Sequence, residues 1–262
     1  MPTVAAVAAF LEQVAPFRLA EDWDNVGLLV GRRGQLVCRL MTCLTVTPRS
    51  AAEAIQRHAD LIVAHHPMPF HAARRWTDET TVGRILLDLA CGGVAVYSPH
   101  TAFDSAAEGV NARLAAGLRL CEVRPLVPDA EGQGTGRVGV LSEPISLDGL
   151  AERLKHFLAI ERLQFVGDPT QTVHRVAIGC GAADELLDAA VADRCDAMVL
   201  GEARFHTCLE AEAAGVGLLL PGHFASERFA VECLADVLAR QFPEVETWAS
   251  RSESDPLKWK GD

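Results

Sequence analysis

Short, mainly apolar runs recur along the chain and alternate with segments of helical periodicity. The runs have the length and composition of buried strands; they are LLVG, LIVA, VAVYS, RVAIG, DAMVLG and GLLLPG. Helical patterns lie between most of them, for example TPRSAAEAIQRHA, in which Thr47 is a predicted N-cap and Pro48 the first helical residue. This alternation predicts an α/β fold, with mixed sheets covered by helices.

The chain of 262 residues is longer than a typical single domain, and the order of its elements recurs in two halves. The segment LVPDAEGQGTGRVG is the richest in glycine, proline and acidic residues, so we predict the junction of the halves there. The predicted parts are a first α/β lobe over residues 1–127, a second α/β lobe over residues 136–250, and a loosely held polar tail over residues 251–262.

Charge and cysteine usage narrow the class of protein. A net charge of −11 gives no positive surface for nucleic acid or anionic lipid, so we expect neither partner. No run approaches the roughly 18 apolar residues of a membrane span. The N-terminal apolar residues have helical spacing and no basic flank, which predicts an amphipathic helix rather than a signal peptide. Eight scattered cysteines without a CxxC pair predict reduced, mostly buried thiols in a cytoplasmic protein.

Metal-ligating side chains follow four of the predicted strands. Ligands of open α/β sheets gather beyond the carboxyl ends of the strands. The residues at these ends are His65 and His66 after LIVA, His100 and Asp104 after VAVYS, Glu202 and His206 after DAMVLG, and His223 and Glu227 after GLLLPG. One histidine at a strand end is more often a surface turn residue than a ligand. Four such ends together favour a metal site.

The adjacent His65 and His66 predict two targets for their side chains. Side chains alternate along an extended backbone, so the two imidazoles should point in different directions. Two metal ions roughly 3.5–4 Å apart would provide such targets. His223 and Glu227 are four residues apart and would share one helix face, so Glu227 is a candidate bridge between the ions, and Asp104 is a second one.

Two further segments carry weaker patterns. AIGCGAADELL has a glycine turn before a helix, which is more often a tight turn than an anion site, and it lacks GxGxxG and GxxxxGK[ST]. Its Cys180 has no base at a recognisable spacing, which disfavours a nucleophile. EDWDNVGLLVG, which contains Trp23, Asp24 and Asn25, is either a substrate loop or a hydrogen-bonded turn.

Five segments occur together, in the same order, in one protein family. They are EDWDNVGLLVG, LIVAHHPMPF, VAVYSPHTAFDSAAEGVNARLA, GEARFH and PGHFASERFAVECLADVL. Over nearly its whole length the chain resembles the dinuclear-metal-centre hexameric proteins, which are also called NGG-interacting-factor-three-like proteins or GTP cyclohydrolase I type 2 homologues. The chain departs from the usual pattern at Ala102 and Phe103, where Asn and Leu are common, and this affects only the surroundings of Asp104.

The resemblance implies a ligand set and an assembly. It assigns two divalent transition-metal ions per chain, iron, zinc or manganese, to His65, His66, Asp104, His223 and Glu227, with His100 near the site. It also implies a toroidal homohexamer whose sites face an inner cavity. With it, the expected fold becomes two similar, interlocked α/β lobes with a metal site between them.

Three hypotheses of function follow. The first is a metal-dependent hydrolase that acts through metal-activated water on a small molecule; as a GTP cyclohydrolase it would open the imidazole ring of the purine, and His100 or Glu202 would be the catalytic candidates for proton transfer. The second is a metal chaperone or insertion protein for iron or another transition metal. The third is a regulatory scaffold in which the metal pair is structural.

Overall fold

The computed structural model describes residues 1–71 and 74–260, and it consists of helices and short strands in alternation. The helices are α1 (Val4–Val14), α2 (Pro48–Gln56), α3 (Thr81–Cys91), α4 (His100–Ser105), α5 (Val110–Gly117), α6 (Leu147–Leu158), α7 (Leu187–Ala192), α8 (Phe205–Ala214) and α9 (His223–Gln241). The strands are β1 (Gly27–Val30), β2 (Arg39–Cys43), β3 (Leu61–Ala64), β4 (Ala95–Ser98), β5 (Cys121–Arg124), β6 (Val127–Pro128), β7 (Gly134–Thr135), β8 (Arg137–Ser146), β9 (Gln164–Val166), β10 (Thr172–Gly179), β11 (Ala197–Leu200), β12 (Gly217–Leu220) and β13 (Glu246–Ala249). The predicted α/β class is confirmed.

The chain divides into two compact units, and the second is inserted into the sequence of the first. The first unit consists of Met1–Phe103 and Ala230–Asp262. Its sheet has the strand order β1-β4-β3-β2-β13, in which β1 is antiparallel to β4 and the other neighbours are parallel. Strands buried on both faces are mainly apolar, and all four residues of β3 and of β4 are buried.

Local sequence chemistry explains the helices that cover this sheet. Thr47 caps α2 as predicted and forms a capping box with Ser50, while Pro48 occupies the first turn. α3 ends at Gly92, as the glycine pair predicts. One apolar core joins the inner faces of α2 and α3 to the strands through buried side chains, among them Ala54, Ile62, Leu89, Val96 and Trp248.

The second unit, Asp104–Phe229, holds a sheet of order β5-β8-β10-β11-β12-β9. β10, β11 and β12 are parallel, whereas β5, β8 and β9 run antiparallel to their neighbours. Its core contains Ala177, Met198 and Leu218 from the parallel strands, covered by Leu187 of α7 and Ala211 of α8. Because the parallel strands end at the same edge, the residues after β10, β11 and β12 are brought together.

The boundary between the units differs from the predicted one. The predicted junction at residues 127–136 lies inside the second unit, where β6 and β7 pair as a small hairpin. β5 and β10 flank β8 on its two sides, so one sheet holds the chain before and after the hairpin. The glycine and proline residues therefore mark a turn, whereas the division falls inside α4 and inside α9.

Two smaller expectations also changed. The predicted loose tail is anchored, because the carboxylate of Glu253 accepts hydrogen bonds from the backbone N–H groups of Leu44, at 3.0 Å, and Thr45, at 2.8 Å. The eight cysteines are free, but Cys38, Cys91 and Cys121 are exposed rather than buried. Within the described ranges, no helix combines the length and the apolar character that a membrane crossing requires.

Candidate metal centre

Three imidazoles meet in the first unit, and we call them the histidine cluster: His65, His66 and His100. Their ring centroids lie 5.2–5.5 Å apart, and a nitrogen of each ring lies within 4.8 Å of a nitrogen of the other two. His65 and His66 follow β3 and donate their backbone N–H groups to Cys43 O and Leu44 O. The bend after β3, which ends at Ala64, holds both residues, so the strand alternation from which their divergence was predicted does not extend to them. That the two imidazoles have different targets stays a prediction.

Hydrogen bonds at Nδ1 orient two of these rings. His66 Nδ1 is 2.7 Å from Thr45 Oγ1, and His100 Nδ1 is 2.8 Å from Asp24 Oδ1. Metal-ligating histidines commonly use one ring nitrogen for such a partner and the other for the ion. Since Nδ1 is engaged in both residues, Nε2 is the nitrogen suited to hold a metal ion or a proton.

Asp24 is the anchor beneath His100. Its carboxylate also accepts hydrogen bonds from the backbone N–H of Asn25, at 2.7 Å, and from the N–H and hydroxyl of Thr101. Burial alone would raise the pKa of Asp24, but the bonds from His100 and Thr101 outweigh it and lower the pKa to about 2. The ionised carboxylate can only accept, so the proton of His100 resides on Nδ1.

Two carboxylates and an imidazole lie in the second unit, and we call them the carboxylate cluster: Asp104, His223 and Glu227. Asp104 lies in α4, and His223 and Glu227 lie one helical turn apart at the start of α9. His223 Nε2 is 3.1 Å from Glu227 Oε2, and His223 Nδ1 is 3.1 Å from Glu202 Oε1. Glu227 is buried, whereas Glu202 is half exposed.

Gly181, which follows β10, makes room for this cluster. The residue has a φ of +61°, and a Cβ there would collide with Glu227 Oε1. Its N–H donates to Ser226 Oγ at 3.1 Å, and its carbonyl accepts from the N–H of Glu202 at 3.0 Å. The carboxylate of Glu227 therefore lies directly against the backbone of Gly181. Only glycine leaves space for it there.

Cys180 packs against both carboxylates and is a hydrogen-bond donor. Its Sγ lies 3.1 Å from Asp104 Oδ1, and its N–H donates to Asn111 Oδ1 at 2.7 Å. Complete burial, together with the negative charges of Asp104 and Glu227, raises the pKa of the Cys180 thiol well above its ordinary value. The thiol is therefore protonated at neutral pH, which agrees with the expectation that Cys180 is not a nucleophile.

The surroundings of His223 favour its charged form. The hydrogen bond to Glu227 and the charges of Glu227 and Glu202 outweigh burial and raise the pKa of His223 to about 9. In the absence of a cation, the proton on His223 thus balances part of the negative charge of the carboxylate cluster.

The predicted ligands fall into these two groups. The histidine cluster contains His65 and His66 and adds His100; the carboxylate cluster contains Asp104, His223 and Glu227. Glu202 contacts His223, but His206 lies in α8 beside Phe205.

Sequence reasoning missed the role of Asp24, Thr45 and Gly181 as supports. Asp24 is 76 positions from its partner His100, and no spacing rule connects them. The segments around Asp24 and Gly181 were both noticed as possible turns, but their roles as supports of the two clusters were not identified.

The donor atoms of both clusters fit divalent transition metals. Imidazole nitrogens and carboxylate oxygens suit iron, zinc, manganese, cobalt and nickel, and the supports at Nδ1 are those of ligating histidines. The groups present therefore fit a metal, and the carboxylates supply the negative charge that imidazoles lack.

Comparison with known proteins identifies the family. The sequence profile of Duf34/NIF3 (NGG1p interacting factor 3) matches residues 2–256. The chain belongs to the Duf34/NIF3 family. This confirms the resemblance found from the five segments.

Relatives in the Duf34/NIF3 family match the chain over almost its full length. A "GTP cyclohydrolase 1 type 2 homolog" of Streptomyces coelicolor is 33% identical and covers 98% of this chain and 94% of its own. A protein of Helicobacter pylori named "GTP cyclohydrolase 1 type 2" is 29% identical, over 91% of this chain and 92% of its own. The crystal structure of a Bacillus cereus protein related to NIF3 covers 99% of both chains with a TM-score of 0.91 at 21% identity, which supports the fold alone.

Proposed function

We propose that this protein binds two divalent transition-metal ions per chain with His65, His66, Asp104, His223 and Glu227, and that it is a metal-dependent hydrolase of a small molecule. The observation that carries the proposal is the convergence of three imidazole rings, two of which are oriented by hydrogen bonds at Nδ1. Buried imidazoles that only fill a core have no need to bring their nitrogens together. The names of the relatives from Streptomyces and Helicobacter make GTP the first substrate to test.

The two clusters would contribute different properties to the site. When bound, the ions supply Lewis acidity, which lowers the pKa of water to near neutrality. Asp104 and Glu227 contribute negative charge, and the protonated thiol of Cys180 holds Asp104 by a hydrogen bond. These residues would keep the net charge of the loaded site low.

Proton transfer is assigned to His100 and Glu202. Asp24 holds the proton of His100 on Nδ1, so that Nε2 is the atom that accepts or donates a proton during the reaction. Glu202 reaches the site through its bond to His223 Nδ1, and its half-exposed carboxylate would exchange protons with solvent.

The test is a measurement of metal content per chain by plasma mass spectrometry on protein purified without chelator. Unmodified protein is compared with His66→Ala and Glu227→Ala, and with the exposed His174→Ala as a matched control. We expect about two ions per chain in the unmodified protein and the control, and fewer in both ligand variants. No metal in the unmodified protein, even after reconstitution with iron, zinc and manganese, would contradict the proposal.

The hydrolase is tested separately by incubating metal-loaded protein with GTP and following the ring-opened product by chromatography. Turnover that His100→Ala loses, at unchanged metal content, is the expected result. Retained metal without turnover, but with release to an acceptor protein, would favour the metal chaperone instead. Metal-dependent assembly without either activity would favour the scaffold.

The homohexamer implied by the resemblance is a further proposal about the assembly. It is checked by light scattering of the metal-loaded protein. A monomer or dimer at micromolar concentration would contradict it.

A further inference from the structure

Two large aromatic side chains lie exposed beside the histidine cluster. Trp23 is 62% exposed and Phe70 is 44% exposed. Their ring centroids are 5.9 Å apart, and each centroid lies 6.0 Å from that of His100. A single exposed aromatic residue needs no explanation, but a contacting pair beside a cluster of ligands is the composition of a ligand-binding surface. We call Trp23 and Phe70 the aromatic pair.

The aromatic pair is held in place by hydrogen bonds from the residues next to it. Asn25 Nδ2 donates to the carbonyl of Pro69 at 2.8 Å, which ties the segment of Trp23 to that of Phe70. Asp24, between Trp23 and Asn25, is bound to His100 and Thr101. The pair is therefore pre-organised relative to His100, and a ligand that binds it does not have to order the two segments first.

The geometry of the pair selects the kind of ligand. The two rings are inclined by 33° and are too close for a third ring to enter between them, so a ligand has to pack on their outer faces. Aromatic faces favour flat π-systems in offset or edge arrangements over saturated rings or chains. Stacking of a nucleobase on such a side chain contributes about 1–3 kcal/mol.

We propose that Trp23 and Phe70 bind the planar heteroaromatic ring of the small molecule on which the protein acts, and that they present this ring to the histidine cluster. This inference rests on the proposed hydrolase and deepens it, because it names the class of the substrate and the residues that select it. A saturated compound with the same polar groups would lack these contacts.

Calorimetric titration tests the inference with four ring-bearing probes, guanosine, adenosine, uridine and nicotinamide, and with ribose as the ring-free comparison. Each is titrated into unmodified protein, Trp23→Ala and Phe70→Ala. Trp259→Ala is the matched control, since Trp259 is 64% exposed and lies in the C-terminal tail. Metal content and oligomeric state are measured on the same samples.

We expect at least one ring-bearing probe to bind the unmodified protein, and to bind each aromatic-pair variant roughly 5- to 150-fold more weakly. Metal content should stay at the unmodified level, Trp259→Ala should bind as the unmodified protein does, and Trp23→Phe should restore most of the affinity. Ribose should not distinguish the variants.

Three results would overturn the inference. The first is equal affinity of the ring-bearing probes for all variants. The second is no binding of any of the four probes. The third is dissociation of the assembly in the aromatic-pair variants at unchanged probe affinity, which would make the pair a contact between copies of the chain. The metal measurement separates this failure from that of the proposed function. Trp23-dependent binding in a protein that holds no metal would leave the ring site standing and contradict only the metal proposal.

Discussion

The histidine cluster and the carboxylate cluster are built in different ways. In the histidine cluster two of the rings are held by partners outside the cluster: His66 Nδ1 bonds to Thr45 Oγ1, and His100 Nδ1–H donates to Asp24. In the carboxylate cluster two members also bond to each other, Glu227 to His223, in addition to the outside bonds from Cys180 to Asp104 and between Glu202 and His223. The second cluster is strongly charged, and its carboxylates, together with Glu202, raise the pKa of His223 to about 9.

This difference shows how a protein prepares a site for a cation. Neutral ligands need only orientation, which short hydrogen bonds provide. Charged ligands need orientation and charge balance, because like charges buried close together repel strongly in a low dielectric. We therefore expect substitutions around the histidine cluster to change the stability of the protein and the geometry of the ligands. Substitutions around the carboxylate cluster should change how the stability of the protein depends on metal and pH.

The largest effect is expected from Gly181→Ala. The added Cβ would displace the carboxylate of Glu227, and the positive φ adds strain of about 1–3 kcal/mol. We expect metal affinity to fall by more than the roughly 10- to 100-fold that loss of an outer hydrogen-bond partner causes. Gly215→Ala is the control, since Gly215 has a φ of +74° with open space around it, so it reports strain without the collision. Equal metal affinity of the two variants would contradict the role of Gly181.

The second prediction concerns Asp24→Asn. The substitution removes the negative charge and replaces one acceptor oxygen with an NH2 group. If this group faces the N–H of Thr101, two donors meet and that hydrogen bond is lost. We therefore expect the free energy of unfolding to fall by about 2 kcal/mol. Urea denaturation of the metal-free protein measures it, with the exposed Asp22→Asn as control. If both variants are equally stable, Asp24 does not anchor the histidine cluster.

The third prediction separates the clusters by pH in the metal-free protein. The pKa of His223 is raised from 6.5 to about 9 in the folded chain, so its stabilising proton is fully present below pH 6.5 and is lost as the pH rises through about 9. We expect the unmodified protein to lose more stability than His223→Gln between pH 6.5 and pH 9.5. Parallel stability curves for the two proteins would show that His223 is not the charge-balancing group.

The smallest effect is expected from Thr45→Val. The substitution removes one neutral hydrogen bond to His66 Nδ1 and preserves the shape of the side chain, so metal affinity should fall only roughly 2- to 10-fold. Competition with a chromogenic chelator measures this range. If Thr45→Val lowered metal affinity as much as Gly181→Ala does, the hydrogen bond that orients His66 would be as important for metal binding as the space that Gly181 leaves for Glu227.

Much of this architecture could be predicted from local sequence. Apolar runs such as LIVA are strands because every residue is buried between helices, and Thr47 with Pro48 begins a helix for reasons contained in the first turn. Strands β5 and β9 were missed because their residues are mainly exposed and lack such a run. The unit boundary was missed because helices α4 and α9 continue across it without a change in composition.

The sequence by itself determined the α/β class, the family and the residues able to hold a metal, because strand ends and ligand types are local properties of a chain. Only the tertiary structure decided which groups surround them. Asp24 reaches His100 across 76 positions, and Cys180 reaches Asp104 across the same interval. Hydrogen bonds and charge interactions act over a few ångströms of space, whatever the separation along the chain. For that reason the supports of the two clusters appear only once the chain is folded.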